Sequence, residues 1–275
     1  MGQLGPRFWS QSRINQTHHP LELHLAHQIM STKPTESIIR EFVPKGILRA
    51  SLNMGNPVLA SSKTASETPA GVTIDLSRAL AAELGVEVVF MCFPTAAESV
   101  ARVTGEEADI GFMAIDPKRA QGIHFTAAYV QIEGSYAVPN ASPITSNQQV
   151  DMMGIDIVVG DGSAYDLFLT RELKQAQIVR VPFSDLVIVE MLQHGHPVAA
   201  GVRQQLEAEV IRTPGARILP GSFMVITQAS AMPRGRGTVA HAYLDDFIER
   251  MKKTGFVLDA LKRHGIEGAK VAPPA

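Results

Sequence analysis

The chain has 275 residues, 45% of them hydrophobic and 19% charged, with a formal net charge of −2. That length exceeds one small core and suits two lobes or one large α/β domain, and the charge balance gives no electrostatic footing for nucleic acid. The single cysteine, Cys92, excludes an internal disulfide without fixing the compartment; within the apolar run VEVVFMCF it reads as a buried, inert thiol.

Residues 1–29 are polar, irregular and rich in His and Gln. They lack the apolar region of a signal peptide, and no stretch of the chain reaches the roughly 18 continuous apolar residues of a membrane span. We expect an N-terminal extension over 1–43, largely disordered up to about residue 29, with either Met1 or Met30 as the start. His18, His19, His24 and His27 cluster there, but partners to complete a metal site are not evident. No metal and no cofactor are expected.

From residue 46 the elements alternate. GILRASLNM (46–54) reads as a strand, VTIDLSRALAAELG (72–85) as an amphipathic helix stopped by Gly85, VEVVFMCF (86–93) as a strand, TAAESVARVTGEEA (95–108) as a helix and DIGFMAI (109–115) as a strand. Asp116-Pro117 then has the form of a helix start, an Asp N-cap followed by Pro at the first helical position. Arg119 falls in that first turn, where a cation opposes the helix dipole. Two readings follow: a guanidinium fork kept for an anion, or a surface arginine paired to a nearby carboxylate. A strand then runs into Tyr136. The pattern restarts with IDIVVGDGSAYDLFLTREL (155–173) as strand, Gly-rich loop and helix, then AQIVRVPF (strand), SDLVIVEMLQHG (helix), HPVAAGV (strand), RQQLEAEVIRTPG (helix), strands within 216–233 and two closing helices.

Strand–helix alternation argues for an α/β layer with a largely parallel sheet, and two such units in succession argue for two lobes with a cleft. Ligands in open α/β sheets sit outside the carboxyl ends of the strands. That rule gathers Asn53 to Asn56, Ala114 to Arg119 (Asp116 included), Gly160 to Tyr165 and Gly201 to Arg203 around the cleft.

From about 45 to 268 the chain resembles the bacterial family 3 extracellular solute-binding proteins, receptors of polar amino-acid ABC transporters. The matching segments run in family order: GILRASLNMGNP, GVTIDLSRALAAELGVEVVF, GEEADIGFMAIDPKRAQGIHFTAAY, VVGDGSAYD and the tail LDDFIERMKKTGFVLDALKRHG. The resemblance implies a type II periplasmic-binding-protein-like α/β fold whose chain crosses twice between lobes. Lobe 1 would be 44–132 plus 228–275, and lobe 2 would be 133–227, with crossings near Ile132-Glu133 and near Val225 to Gln228. It implies that Arg119 holds a ligand carboxylate, completed by the backbone around Ala114 and by the Gly162-Ser163 loop. The helix start after Ser163 fits that role on its own chemistry. Asn53, Asn56 and Tyr165 complete the candidate set.

Three departures from the family bear on the ligand. The acid expected to pair with an α-ammonium reads Arg203, the acid of the first turn reads Asn53, and the stacking aromatic reads Ala96. A cation facing an ammonium in a low-dielectric cleft would cost several kcal/mol. Three ideas remain open: an organic acid or dicarboxylate held between Arg119 and Arg203, Glu133 swinging in to bind an ammonium, or Arg203 turned to solvent with the local alignment shifted.

The expected function is a monomeric solute-binding protein that takes a small carboxylate, organic acid or amino acid, by hinge closure, without catalysis. An ABC-transporter permease is the implied partner. The resemblance implies a periplasmic site, whereas the missing export signal leaves the cytoplasm open. Two alternatives stand beside it: an enzyme like cyclohexadienyl dehydratase on the same fold, for which Glu133, Asp161, His124 and Tyr165 are the candidate acids and bases, and a cytosolic ligand sensor.

Overall fold

The structure, a computed structural model, describes residues 7–9, 34–62 and 68–275. Apart from 7–9, the expectations for the first 29 residues and for the four-histidine cluster lie outside the described residues. Arg7–Trp9 forms a short strand, β1.

Thr35 caps α1 (Glu36–Phe42) by accepting a bond from the Ile38 N–H, with Glu36 in the first turn and Arg40 in the last, both complementing the helix dipole. β2 (Ile47–Asn53) leads through a turn to α2 (Val72–Leu84). That helix ends as Gly85 turns left-handed at φ 69°, a conformation glycine adopts at no steric cost. β3 (Glu87–Phe93), α3 (Ala96–Thr104) and β4 (Ile110–Ala114) follow. α3 is shorter than expected because Gly105 caps it and Glu106 takes a positive φ, which ends the helical ladder.

β5 (Ile123–Pro139) is the longest strand among the described residues, and it carries the chain from one lobe to the other. The second lobe contains β6 (Asp156–Gly160), α4 (Ala164–Glu172), β7 (Gln177–Val181), α5 (Val187–His194), β8 (Val198–Val202), α6 (Arg203–Arg212) and β9 (Ala216–Ile218). β10 (Met224–Pro233) carries the chain back, and α7 (Thr238–Lys253), α8 (Phe256–Arg263) and β11 (Lys270–Val271) complete the first lobe.

The strand order is β1-β3-β2-β4-β10-β5-β8-β6-β7, with β9 and β11 also on β5. β2 pairs in parallel with β3 and β4, and β6 in parallel with β7 and β8. β10 runs antiparallel to both β4 and β5, facing Ile123 at its end and Gly134 at its start. Beyond that pairing the same strand β5 continues against β8, with Gly134 opposite Val202 and Ala137 opposite Ala199. The two lobes therefore share one continuous ladder, the mixed α/β arrangement of the type II fold.

Both faces of the parallel segments are covered, so their strands read as unbroken apolar runs. β4 and β8 are buried at every position. Leu48, Ile74, Leu80, Phe90, Ile110, Tyr129 and Phe247 fill the first lobe. Val158, Val187, Ile188, Met191 and Leu206 fill a separate cluster in the second. Burial pushes the Cys92 thiol up to about 11, consistent with an inert packing residue.

One local expectation fails. Asp116-Pro117 does not start an α-helix. The Asp116 side chain accepts the Lys118 N–H at 2.8 Å, its carbonyl accepts the Ala120 N–H at 2.9 Å, and Arg119–Gln121 forms a single 3-10 turn. Gly122 and the strand-forming run Ile123-His-Phe-Thr follow at once, so β5 takes the chain before a second turn can form.

Candidate functional site

Asn53 ends β2, and its Oδ1 accepts the Gly55 N–H at 3.0 Å, which folds the chain into a tight turn beside Asn56. A Cβ on Gly55 would lie 2.5 Å from the Pro94 carbonyl, so this turn and the end of β3 approach too closely for any other residue. Across the cleft, Ser163 caps α4 by accepting the Asp166 N–H at 3.1 Å, and Asp166 in turn accepts the Gly162 N–H at 2.9 Å. Arg180 closes this network on Asp166 at 2.9 Å. The Gly-Ser loop is thus rigid, with the amino end of α4 facing the cleft.

Arg119 joins the two sides. Its guanidinium donates to the Ala114 carbonyl at 3.1 Å and to the Gly162 carbonyl of the opposite lobe at 2.9 Å. The residue is only 7% exposed. Burial pulls its pKa down to about 10, and Asp116 partly offsets the fall. Among the described residues no carboxylate forms an ion pair with it; Asp116 turns instead to Arg171 of α4, at 2.6 Å.

These groups surround an interlobe cavity of about 50 Å³, a few times the ~10–15 Å³ that one water requires. Asn53, Asn56, Ala114, Arg119, Ser163 and Tyr165 line it, as the strand-end rule anticipates, and Ala96 and Asp161 do too. The Tyr165 hydroxyl donates to Ser184, also in the lining, at 2.8 Å. Gly162 reaches the site through its carbonyl, and Asp116 sits behind Arg119.

Arg203 and Glu133 are not in the lining. They pair with each other at 2.7 Å, and Arg203 also donates to the Gly221 carbonyl. In this arrangement the Arg203 guanidinium is directed to Glu133 and the Gly221 carbonyl rather than into the cavity. The sequence reading also missed Gln205 of α6 and Gln228 of β10. Gln228 carried a signal: a buried amide within the apolar run Met224–Pro233, at a shift of the β10–β5 register, where a bulge re-aims side chains. Gln205 lies two residues past Arg203 and carried none.

The family model for bacterial extracellular solute-binding proteins, family 3, matches residues 53–265. The chain belongs to this family. No curated protein matched it. Among solved structures, the family 3 protein is similar to the solute receptor for L-cysteine of Neisseria gonorrhoeae, with a TM-score of 0.71 and 19% identity over 84% of this chain and 94% of that one. An ArgBP variant from T. maritima gives 0.70 and 18%, over 84% and 100%. The ancestral amino-acid-binding protein AncCDT-1, described as a precursor of cyclohexadienyl dehydratase, gives 0.67 and 20%, over 82% and 97%. At these identities the likeness is one of fold. Among the described residues no helix of this solute-binding protein is long and apolar enough to cross a membrane.

One group behind the cavity wall of the family 3 protein is costly. Glu209, one turn beyond Gln205 on α6, is 3% exposed, and neither carboxylate oxygen makes a hydrogen bond of normal geometry. Burial raises its pKa from 4.5 to about 7, against the lowering effect of Gln205, while Asp185 adds to the rise and Arg212 opposes it. A carboxyl that is harder to ionise in the folded state costs nothing below its unfolded pKa. It destabilises progressively as pH climbs toward 7, and fully above that. Glu209→Gln should therefore leave the melting temperature unchanged near pH 4 and raise it by on the order of 5 °C, about 2 kcal/mol, at pH 8. Equal shifts at both pH values in thermal melts would reject this account.

Proposed function

We propose that this protein is the substrate-binding component of an ABC transporter, acting outside the cytoplasmic membrane. It takes a small carboxylate of amino-acid size into the interlobe cleft, and the lobes close over it. Arg119 carries the reading. A buried guanidinium engaged, among the described residues, by neutral carbonyls alone keeps N–H groups for a carboxylate, and these, with the amino end of α4 beside Ser163, form an anion cradle. Binding without turnover fits the lining, where Asp161 is largely exposed and burial holds the Tyr165 hydroxyl protonated.

Closure draws support from two contacts between opposite sides of the cleft, Arg119 to the Gly162 carbonyl and Asp116 to Arg171. Residues 44–132 and 228–275 would move against 133–227 about the β5–β10 crossing. The test is a thermal-shift panel of amino, hydroxy, keto and dicarboxylic acids, with small-angle scattering on any hit. A ligand at ~100 times its dissociation constant should add about 2.7 kcal/mol of stability, with a smaller radius of gyration. No shift with any carboxylate would reject the reading.

A further inference from the structure

We propose that the cleft selects a small carboxylate whose second polar group is uncharged, a 2-hydroxy acid in preference to the 2-amino acid of the same shape, and that Gln205 sets this choice. The inference rests on the reading that Arg119 seats the ligand's carboxylate.

Charge is the first ground. Among the described residues, Arg119 is the one buried cation of the lining and Asp161 the one carboxylate there; the Asp161 side chain is 68% exposed and lies 3.8 Å from Arg180. Among the described residues, four other acids of this region are engaged or lie outside the lining. Asp116 holds Arg171 at 2.6 Å, Asp166 holds Arg180 at 2.9 Å, Glu133 holds Arg203 at 2.7 Å, and Glu209 lies outside the lining. A hydroxy acid brings one negative charge and leaves the closed cavity neutral with Arg119. A zwitterion leaves one positive charge with no buried carboxylate among the described lining residues to meet it, and burying an unpaired charge is strongly unfavourable.

Hydrogen bonding is the second ground. Four side-chain amides, Asn53, Asn56, Gln205 and Gln228, contribute to the lining. Amides both donate and accept, which suits a hydroxyl that does the same; an ammonium only donates, so it can use their oxygens but leaves their N–H groups without an acceptor on the ligand. Asn56 is 8% exposed, and its buried Oδ1 has no donor among the described residues, so it offers an acceptor to one ligand hydroxyl. The cavity of about 50 Å³ suits a small ligand. Gln205 is the residue assigned because it is buried, faces the site from the second lobe, and becomes a carboxylate of nearly the same shape by a single substitution.

The test is calorimetric titration of the full chain with two isosteric pairs, lactate against alanine and glycerate against serine, each as the L form, for the wild type and for Gln205→Glu. In the wild type the hydroxy acid of at least one pair should bind at least 10-fold more tightly than its amino counterpart, and Gln205→Glu should reverse the order. Tighter binding of the amino acid by the wild type would overturn the inference while leaving the receptor reading intact. Binding of no carboxylate in the wider panel would overturn both. A folded Gln205→Glu protein with an unchanged preference would remove Gln205 from its role; the wild-type titration decides the ligand class even if that variant does not fold.

Discussion

Arg119→Met is expected to weaken carboxylate binding by about 10²–10³-fold, the loss typical of removing one partner of a buried charge pair, while the ligand-free protein melts within a few degrees of the wild type. Two opposing effects produce the second result. Burial lowers the arginine's pKa to about 10, so below about pH 10 its charged form is worse off in the folded chain than in the unfolded one and subtracts from stability. Methionine removes that cost. It also removes the bonds to the Ala114 and Gly162 carbonyls, each worth about 1 kcal/mol net. A calorimetric titration beside a melt separates the outcomes. An affinity within threefold of wild type would show that the carboxylate is seated elsewhere.

The second large effect lies in the first lobe, away from the cleft. Asp109 is 0% exposed and accepts from the Arg49 side chain at 2.6 and 3.0 Å, from the Arg49 backbone N–H at 2.9 Å and from Arg236 at 3.1 Å. Asp109→Asn would leave two largely buried guanidiniums facing a neutral group. We expect a loss of about 3–5 kcal/mol, on the order of 10 °C in melting temperature, with ligand affinity retained by whatever remains folded. The exposed pair Arg40–Glu36, at 79% and 86% side-chain exposure, is the control; Arg40→Ala should cost under about 0.5 kcal/mol. A similar small loss at Asp109 would contradict the claim that its charge organises this corner of the sheet.

Sequence reasoning succeeded where structure is local. The apolar runs of β2, β3 and β4, the Gly85 stop and the helix start after Ser163 are set by residues within a turn of one another, so they could be read directly. The placement of Arg119 and the Gly162-Ser163 loop beside the cavity was legible for the same reason, since each follows a strand end. The other side was not. Arg203 stands in the position that should face the ligand, and what turns it away is Glu133, a residue of the crossing strand that no local pattern links to it. Gln205 enters the cavity by the angle at which α6 leaves β8, a tertiary property. The helix expected at Asp116 failed because its capping chemistry, correct in itself, served one turn only once β5 claimed the residues after Gly122.

The antiparallel pairing of β10 with β4 also dictates an order of events during synthesis. Gly111 has its partner in Ala231, so the sheet of the first lobe cannot close until the intervening second lobe has left the ribosome. β2, β3 and β4 can pair with one another as they emerge, and β6, β7 and β8 likewise, but β4 waits with one edge unpaired until β10 arrives. Contacts so distant along the chain slow folding and prolong exposure of apolar strands. Holding partners that bind unfolded chains should therefore act on the β4 edge rather than on the segment between the crossings.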